Sequence, residues 1–107
     1  ETPLLQVSFY FPPPIAAQLS ADALRGPVQA IKLVQELTGA KISHATQALD
    51  AKNATPHIAK ALRIPIGQAV LRVIRVYYDI DHKPVELLEG FYHPVNYQFN
   101  AKLLPQN

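Results

Sequence analysis

Glu86 and Tyr92 stand on one stretch, which begins at Pro84 and reads as the return strand of a hairpin. Alternation puts Glu86, Leu88, Gly90 and Tyr92 on one face and Val85, Leu87, Glu89 and Phe91 on the other. A carboxylate and a phenol therefore share a face, six residues apart. Together they suit a small polar molecule carrying hydroxyl or amine donors. Burying a glutamate in an apolar strand is costly unless something pairs with it. Alternation alone therefore gives an outward-facing Glu86, and Tyr92 serves equally well as an amphipathic core residue. Arg75 shares its strand face with Leu71, Val73 and Tyr77. It either neutralises an anionic ligand or pairs with Glu86 or Glu89, and the structural pair is the commoner role. Arg72 falls on the opposite face, toward the surface.

Other chemistry finds little support. His44, His57, His82 and His93 show no metal-ligand spacing, and no cysteine helps them. There is no Gly-rich phosphate loop, no G-x-S-x-G and no cysteine–histidine pair, so no reaction is proposed by motif. Neither a cofactor nor a metal is expected.

The elements that must position these residues follow from the pattern around them. Val70–Asp79 is rich in β-branched and aromatic residues, and Asp79-Ile-Asp-His-Lys83 closes it as a polar turn. The return strand starts at Pro84, where a missing N–H does least harm. Val70–Phe99 thus reads as one long β-hairpin.

Earlier in the chain, Leu4–Phe11 reads as a strand ended by Pro12-Pro13-Pro14, three prolines that favour extended polyproline conformation. Pro3–Pro12 and Pro84–Pro94 share the order proline, apolar strand, Phe-Tyr-x-Pro, with one extra residue in the second copy. This weak repeat implies two similarly placed hairpins of one antiparallel sheet, the first lacking its partner strand. Ile15–Leu19 is expected as a single helical turn and Ser20–Gly26 as a loop. Gly26-Pro27 opens a helix whose stripe is Val28, Ile31, Val34 and Leu37, with Gly39 as its left-handed stop. Lys41–Ala51 alternates with modest apolarity, as expected near a sheet edge or facing a pocket. Thr55 and Pro56 form a helix start, as N-cap and first helical residue. Ile58, Ala61 and Leu62 face inward, and Ile64-Pro65 ends that helix. The tail Asn100–Asn107 is expected to fray.

A length of 107 residues fits one domain able to bury a core without staples. Without cysteine there is no disulfide framework, which agrees with a cytoplasmic setting. No apolar run is long enough to span a membrane. Net charge is +2 with Lys and Arg scattered, so no basic stripe is present to bind nucleic acid.

Taken in order, Val70, Leu71, Ile74, Arg75, Tyr78, Asp79, Pro84, Val85, Glu86, Tyr92, Tyr97 and Phe99 resemble the end of the UTRA domain. That is the effector-binding domain of the HutC subfamily of GntR-type bacterial transcription regulators. Upstream, Leu33–Gly39 is similar to the family's first long helix and glycine stop. Ala51–Leu62 is similar to its second helix and approach, and Ile64-Pro-Ile-Gly67 to the lead-in to the hairpin. The resemblance covers nearly the whole chain.

The resemblance implies an α+β fold: an antiparallel sheet with covering helices, chorismate-lyase-like, without its first strand. Residues 1–107 then form an N-terminally incomplete UTRA-like domain, with the winged helix-turn-helix domain outside this chain. It also implies that Glu86 and Tyr92 line one effector cavity. Gln29 stands where sugar-phosphate-binding members carry a serine, near helix N–H groups suited to an anion. Gln29, Ile31 and Val7 depart from those members' pattern, which argues against a hexosamine phosphate. The implied partners are a small-molecule effector, a second copy in a homodimer, and DNA only through the other domain. The alternatives are a chorismate-lyase-like enzyme using Glu86 or Glu89 as acid, and a dimerisation module without ligand.

Overall fold

The computed structural model describes residues 3–19 and 30–105. The helix start at Gly26-Pro27, the loop Ser20–Gly26 and Gln29 lie outside the described residues. In chain order the elements are β1 (Leu5–Tyr10), α1 (Pro13–Ala16), α2 (Ala30–Thr38), β2 (Ile42–Asn53), α3 (Pro56–Leu62), β3 (Ala69–Asp79) and β4 (Pro84–Tyr92). The four strands form one antiparallel sheet in the order β1-β4-β3-β2. This is the α+β architecture expected from the sequence.

The hairpin β3–β4 forms the middle of the sheet. Its turn is locked by Asp79, whose Oδ1 accepts from the backbone N–H groups of Asp81 (2.8 Å) and Lys83 (3.0 Å). The two Phe-Tyr-x-Pro copies are neighbours: β1 pairs directly with β4, from Leu5 opposite Tyr92 to Tyr10 opposite Leu87. β2 lies at the other edge, as its modest apolarity suggested. All but its first residue are exposed.

Several local expectations shift. Of the three prolines, Pro12 alone is extended (φ −55°, ψ 147°), whereas Pro13 and Pro14 open the short helix α1. The first helical N–H groups have no intrahelical acceptor, so proline loses nothing there, and its φ is already helical. The chain therefore turns helical two residues before the expected Ile15. Residues 51–53 extend β2 rather than approaching a helix. On α2, Ala30 and Val34 are buried while Leu37 is largely exposed, so the inward stripe is shorter than the spacing implied. Gly39 ends that helix at φ 74°, as its position demanded. Residues 100–105 have no regular structure.

Each sheet face has its own cover. On one side α3 packs a closed apolar cluster of Ala54, Ile58, Ala59, Leu62 and Val70, joined by Ile64 and Phe91. Thr55 caps α3 by accepting from the Ile58 N–H (3.3 Å), with Pro56 following, as expected. Arg63 takes the left-handed position at its end (φ 58°), a role more often given to glycine. The opposite face carries Phe9, Val73, Arg75, Tyr77, Glu86 and Leu88. The first residues of α2, Ala30 and Ile31, border a cavity over it.

Candidate functional site

The cavity beneath α2 measures about 220 Å³ and is lined by Phe9, Ala30, Ile31, Arg75, Tyr77, Glu86 and Leu88. Register explains the grouping. Tyr77 stands opposite Glu86 and Arg75 opposite Leu88, so Arg75 and Glu86 are diagonal neighbours on one face. β4 is a central strand, and Val85 and Glu86 are consecutive buried residues. At this end of the strand both faces are covered.

Glu86 is only 2% exposed. The outward-facing glutamate given by alternation is overturned, because alternation sees the pleat but not the helix laid over it. Its Oε1 is buried without a hydrogen-bond partner. Burial raises its pKa from 4.5 to about 7, against the partly offsetting pull of the Arg75 charge. The carboxyl is therefore divided between neutral and ionised forms near neutral pH.

Arg75 forms an ion pair with neither Glu86 nor Glu89, the structural partners considered for it. Its Nε donates to Gln47 Oε1 (2.8 Å) and its Nη1 to the Tyr77 hydroxyl (3.2 Å), both neutral acceptors. Glu89 lies on the other face and accepts instead from Arg72 Nη1 (3.3 Å). Arg72 also grips Asp50 through Nε (2.9 Å) and Nη2 (2.6 Å). This bond holds the Asp50 carboxyl below the usual range. Arg72 is thus ion-paired on both sides and only partly exposed, rather than a free surface charge.

Tyr92 is on the same face as Glu86 but is not brought beside it. Six residue steps along the strand separate their Cα atoms by about 20 Å. Tyr92 borders a second cavity of about 270 Å³, with Ala51, Ala69, Val70, Leu71, His93, Pro94 and Tyr97. Its ring stacks on Tyr97 at 4.0 Å between centroids. Burial and the neighbouring Tyr97 phenol raise the Tyr92 pKa. Gly90, between the two positions, lets Val73 and Leu5 close in: a Cβ there would sit 3.1 Å from Val73 Cγ1 and 3.2 Å from Leu5 Cδ1.

Gln47 and Tyr77 are the site residues that sequence reasoning missed as partners. Gln47 comes from β2 and faces Arg75 only because of the β2–β3 register, which includes an irregularity between Ile42 and His44. Among the described residues, no group of three or more His, Cys, Asp or Glu is placed to hold a metal ion. None of their helices is long and apolar enough to cross a membrane.

The antiparallel sheet and its covering helices make an α+β domain with a cavity on one face bordered by Arg75 and Glu86. Residues 1–98 match the UTRA domain family, and the chain belongs to that family. It is 33% identical to the HTH-type transcriptional regulator Rv0792c of Mycobacterium tuberculosis, over 96% of this chain. The chain spans 39% of that relative's length. Its fold matches the crystal structure of a GntR-family transcriptional regulator from Enterococcus faecalis. The TM-score is 0.82 and the identity 25%, covering 96% of this chain and 73% of the other. The ligand-binding domain of a GntR-family regulator from Bordetella bronchiseptica superimposes equally well. There the TM-score is 0.82 at 24% identity, covering 96% and 66% of the two chains.

Proposed function

We propose that this chain is the effector-sensing domain of a bacterial GntR-type transcription regulator of the HutC subfamily. A small polar metabolite enters the cavity between the sheet and α2 and meets Arg75 and Glu86. Binding there changes operator affinity in a separate winged helix-turn-helix domain, within a cytoplasmic homodimer. The observation that carries this reading is Glu86: a carboxyl that is 2% exposed, has an unpartnered Oε1 and borders a cavity. A protein gains nothing in stability from such a group, whereas a binding site needs one. The relatives support the regulatory half, since they are transcriptional regulators and one is described as a ligand-binding domain. Tyr92 and its cavity form a second contact region on the same face.

For the regulator to respond, ligand must favour one arrangement of the dimer by an amount of order 1–3 kcal/mol. The test is a thermal-shift screen of small carboxylates, sugar phosphates, amino acids and phosphonates against the parent and Glu86→Gln. A stabilising compound whose effect fades in Glu86→Gln supports the reading. A compound that stabilises both equally moves the site away from this cavity.

A further inference from the structure

The polar groups around the Glu86 cavity differ in sign and in kind, and that difference restricts what can fill it. Arg75 is charged, yet its two hydrogen bonds go to the neutral oxygens of Gln47 and Tyr77, which leaves its charge uncompensated by any ion pair among the described residues. The remaining guanidinium N–H groups are donors. The Tyr77 oxygen accepts from Arg75, so its own hydrogen is also available to donate. Glu86 supplies the one carboxyl of the lining, and its Oε1 has no donor. The rest of the lining, Phe9, Ala30, Ile31 and Leu88, is apolar.

Arg75 and Glu86 are diagonal neighbours across the β3–β4 pair, a relation that places Cβ atoms about 7–8 Å apart. The cavity of about 220 Å³ falls below the roughly 300–1,000 Å³ typical of sites for drug-sized ligands. From this geometry, and resting on the effector-sensing reading above, we propose that the cavity takes a short amphoteric metabolite. Its anionic end is held by Arg75 and its ammonium or hydroxyl donor reaches Glu86 across a chain of a few carbons. A simple anion would satisfy Arg75 and leave Glu86 without a donor. A simple amine would satisfy Glu86 and leave the Arg75 charge uncompensated. A molecule with both ends satisfies each group, while its short carbon chain lies along Leu88 and Ile31. Gln47 is then a positioning residue: its amide oxygen fixes Nε of Arg75, so the guanidinium is already turned toward the cavity.

The probes are ω-amino acids from glycine to 6-aminohexanoate, the matching ω-hydroxy acids, the unsubstituted acids and the simple amines. Each is titrated calorimetrically into the full chain. The expected result is one chain length whose amino or hydroxy acid binds about ten-fold or more tightly than its acid and its amine, the scale of one charge-assisted hydrogen bond. Glu86→Gln should reduce that compound to the affinity of the acid, and Arg75→Gln to that of the amine. Gln47→Ala should weaken the amino acid and the acid alike and leave the amine unchanged, which a purely structural role would not do. An acid that binds as well as its amino acid at every length overturns the proposal. So does a sugar phosphate or other ligand that depends on Glu86 while every amphoteric probe is inert, although effector sensing in this cavity would then stand. If neither the probes nor a broad metabolite panel binds, both the ligand class and the sensing reading fall.

Discussion

Arg72 and Arg75 stand three residues apart on β3 and serve opposite faces of the sheet. Arg72 lies between two carboxylates, Asp50 on β2 and Glu89 on β4, and ties three strands together. Among the described residues Arg75 hydrogen-bonds Gln47 and Tyr77 alone, although a buried carboxyl lies diagonally across from it. The α3 side joins an apolar cluster to the Arg72 ion pairs and a polar cavity bordered by His57 and Glu89, and the α2 side keeps a cavity bordered by Arg75 and Glu86. Arg72, Asp50 and Glu89 of the α3 side are thus paired, whereas Arg75 and Glu86 form no ion pair among the described residues.

Leu62, fully buried in the apolar cluster beneath α3, gives the sharpest test of that contrast. Leu62→Ala should cost roughly 2–5 kcal/mol in urea unfolding, as for other buried leucines. Ligand affinity of the folded fraction should stay unchanged. A comparable loss from trimming an apolar residue of the cavity, as in Phe9→Ala, would blur the contrast.

Glu86→Gln should act in the opposite direction. The Glu86 carboxyl titrates at about 7 in the folded chain against an ordinary 4.5. Between those values the native state holds a proton that the unfolded chain has released, so stability falls as pH rises through the window. The loss approaches about 3 kcal/mol above pH 7. Urea midpoints measured from pH 4 to pH 8 should fall for the parent relative to Glu86→Gln, with the variant's advantage greatest at pH 8. A parent more stable than the variant at pH 8 would mean that Glu86 is paired.

Smaller effects refine the picture. Thr55→Ala removes the side-chain cap of α3 and should cost about 1 kcal/mol, read as a lower urea midpoint with an unchanged slope. Arg72→Gln should lower Tm slightly in dilute buffer, and high salt should erase the difference, because the Asp50 pair is exposed to solvent. Arg75→Gln should leave Tm nearly unaltered while removing anion binding.

The features legible in the sequence were those set locally. The hairpin and its turn, the Thr55-Pro56 helix start and the Gly39 stop all follow from short-range chemistry, and the structure keeps them. The place of β2 at a sheet edge was readable from its weak apolarity. Pro13 and Pro14 misled because three prolines favour an extended chain in isolation, while a helix start accommodates two of them. Arg63 gave no sign of its left-handed backbone. The burial of Glu86 depends on α2 arriving from fifty residues earlier, and the Gln47–Arg75 contact depends on strand register. Neither is encoded in spacing along one strand. Glu86 stood out as a site candidate through family resemblance, and its cavity with Arg75 became visible only in the fold.

The most direct test is the pH titration of the Glu86 side-chain carboxyl by 13C NMR, its signal assigned by its loss in Glu86→Gln. A midpoint near 7 in the ligand-free protein is the expected result, and it would establish a buried carboxyl without a partner. A midpoint near 4.5 would show Glu86 to be solvated or paired, and would remove the central reason for reading this cavity as a binding site.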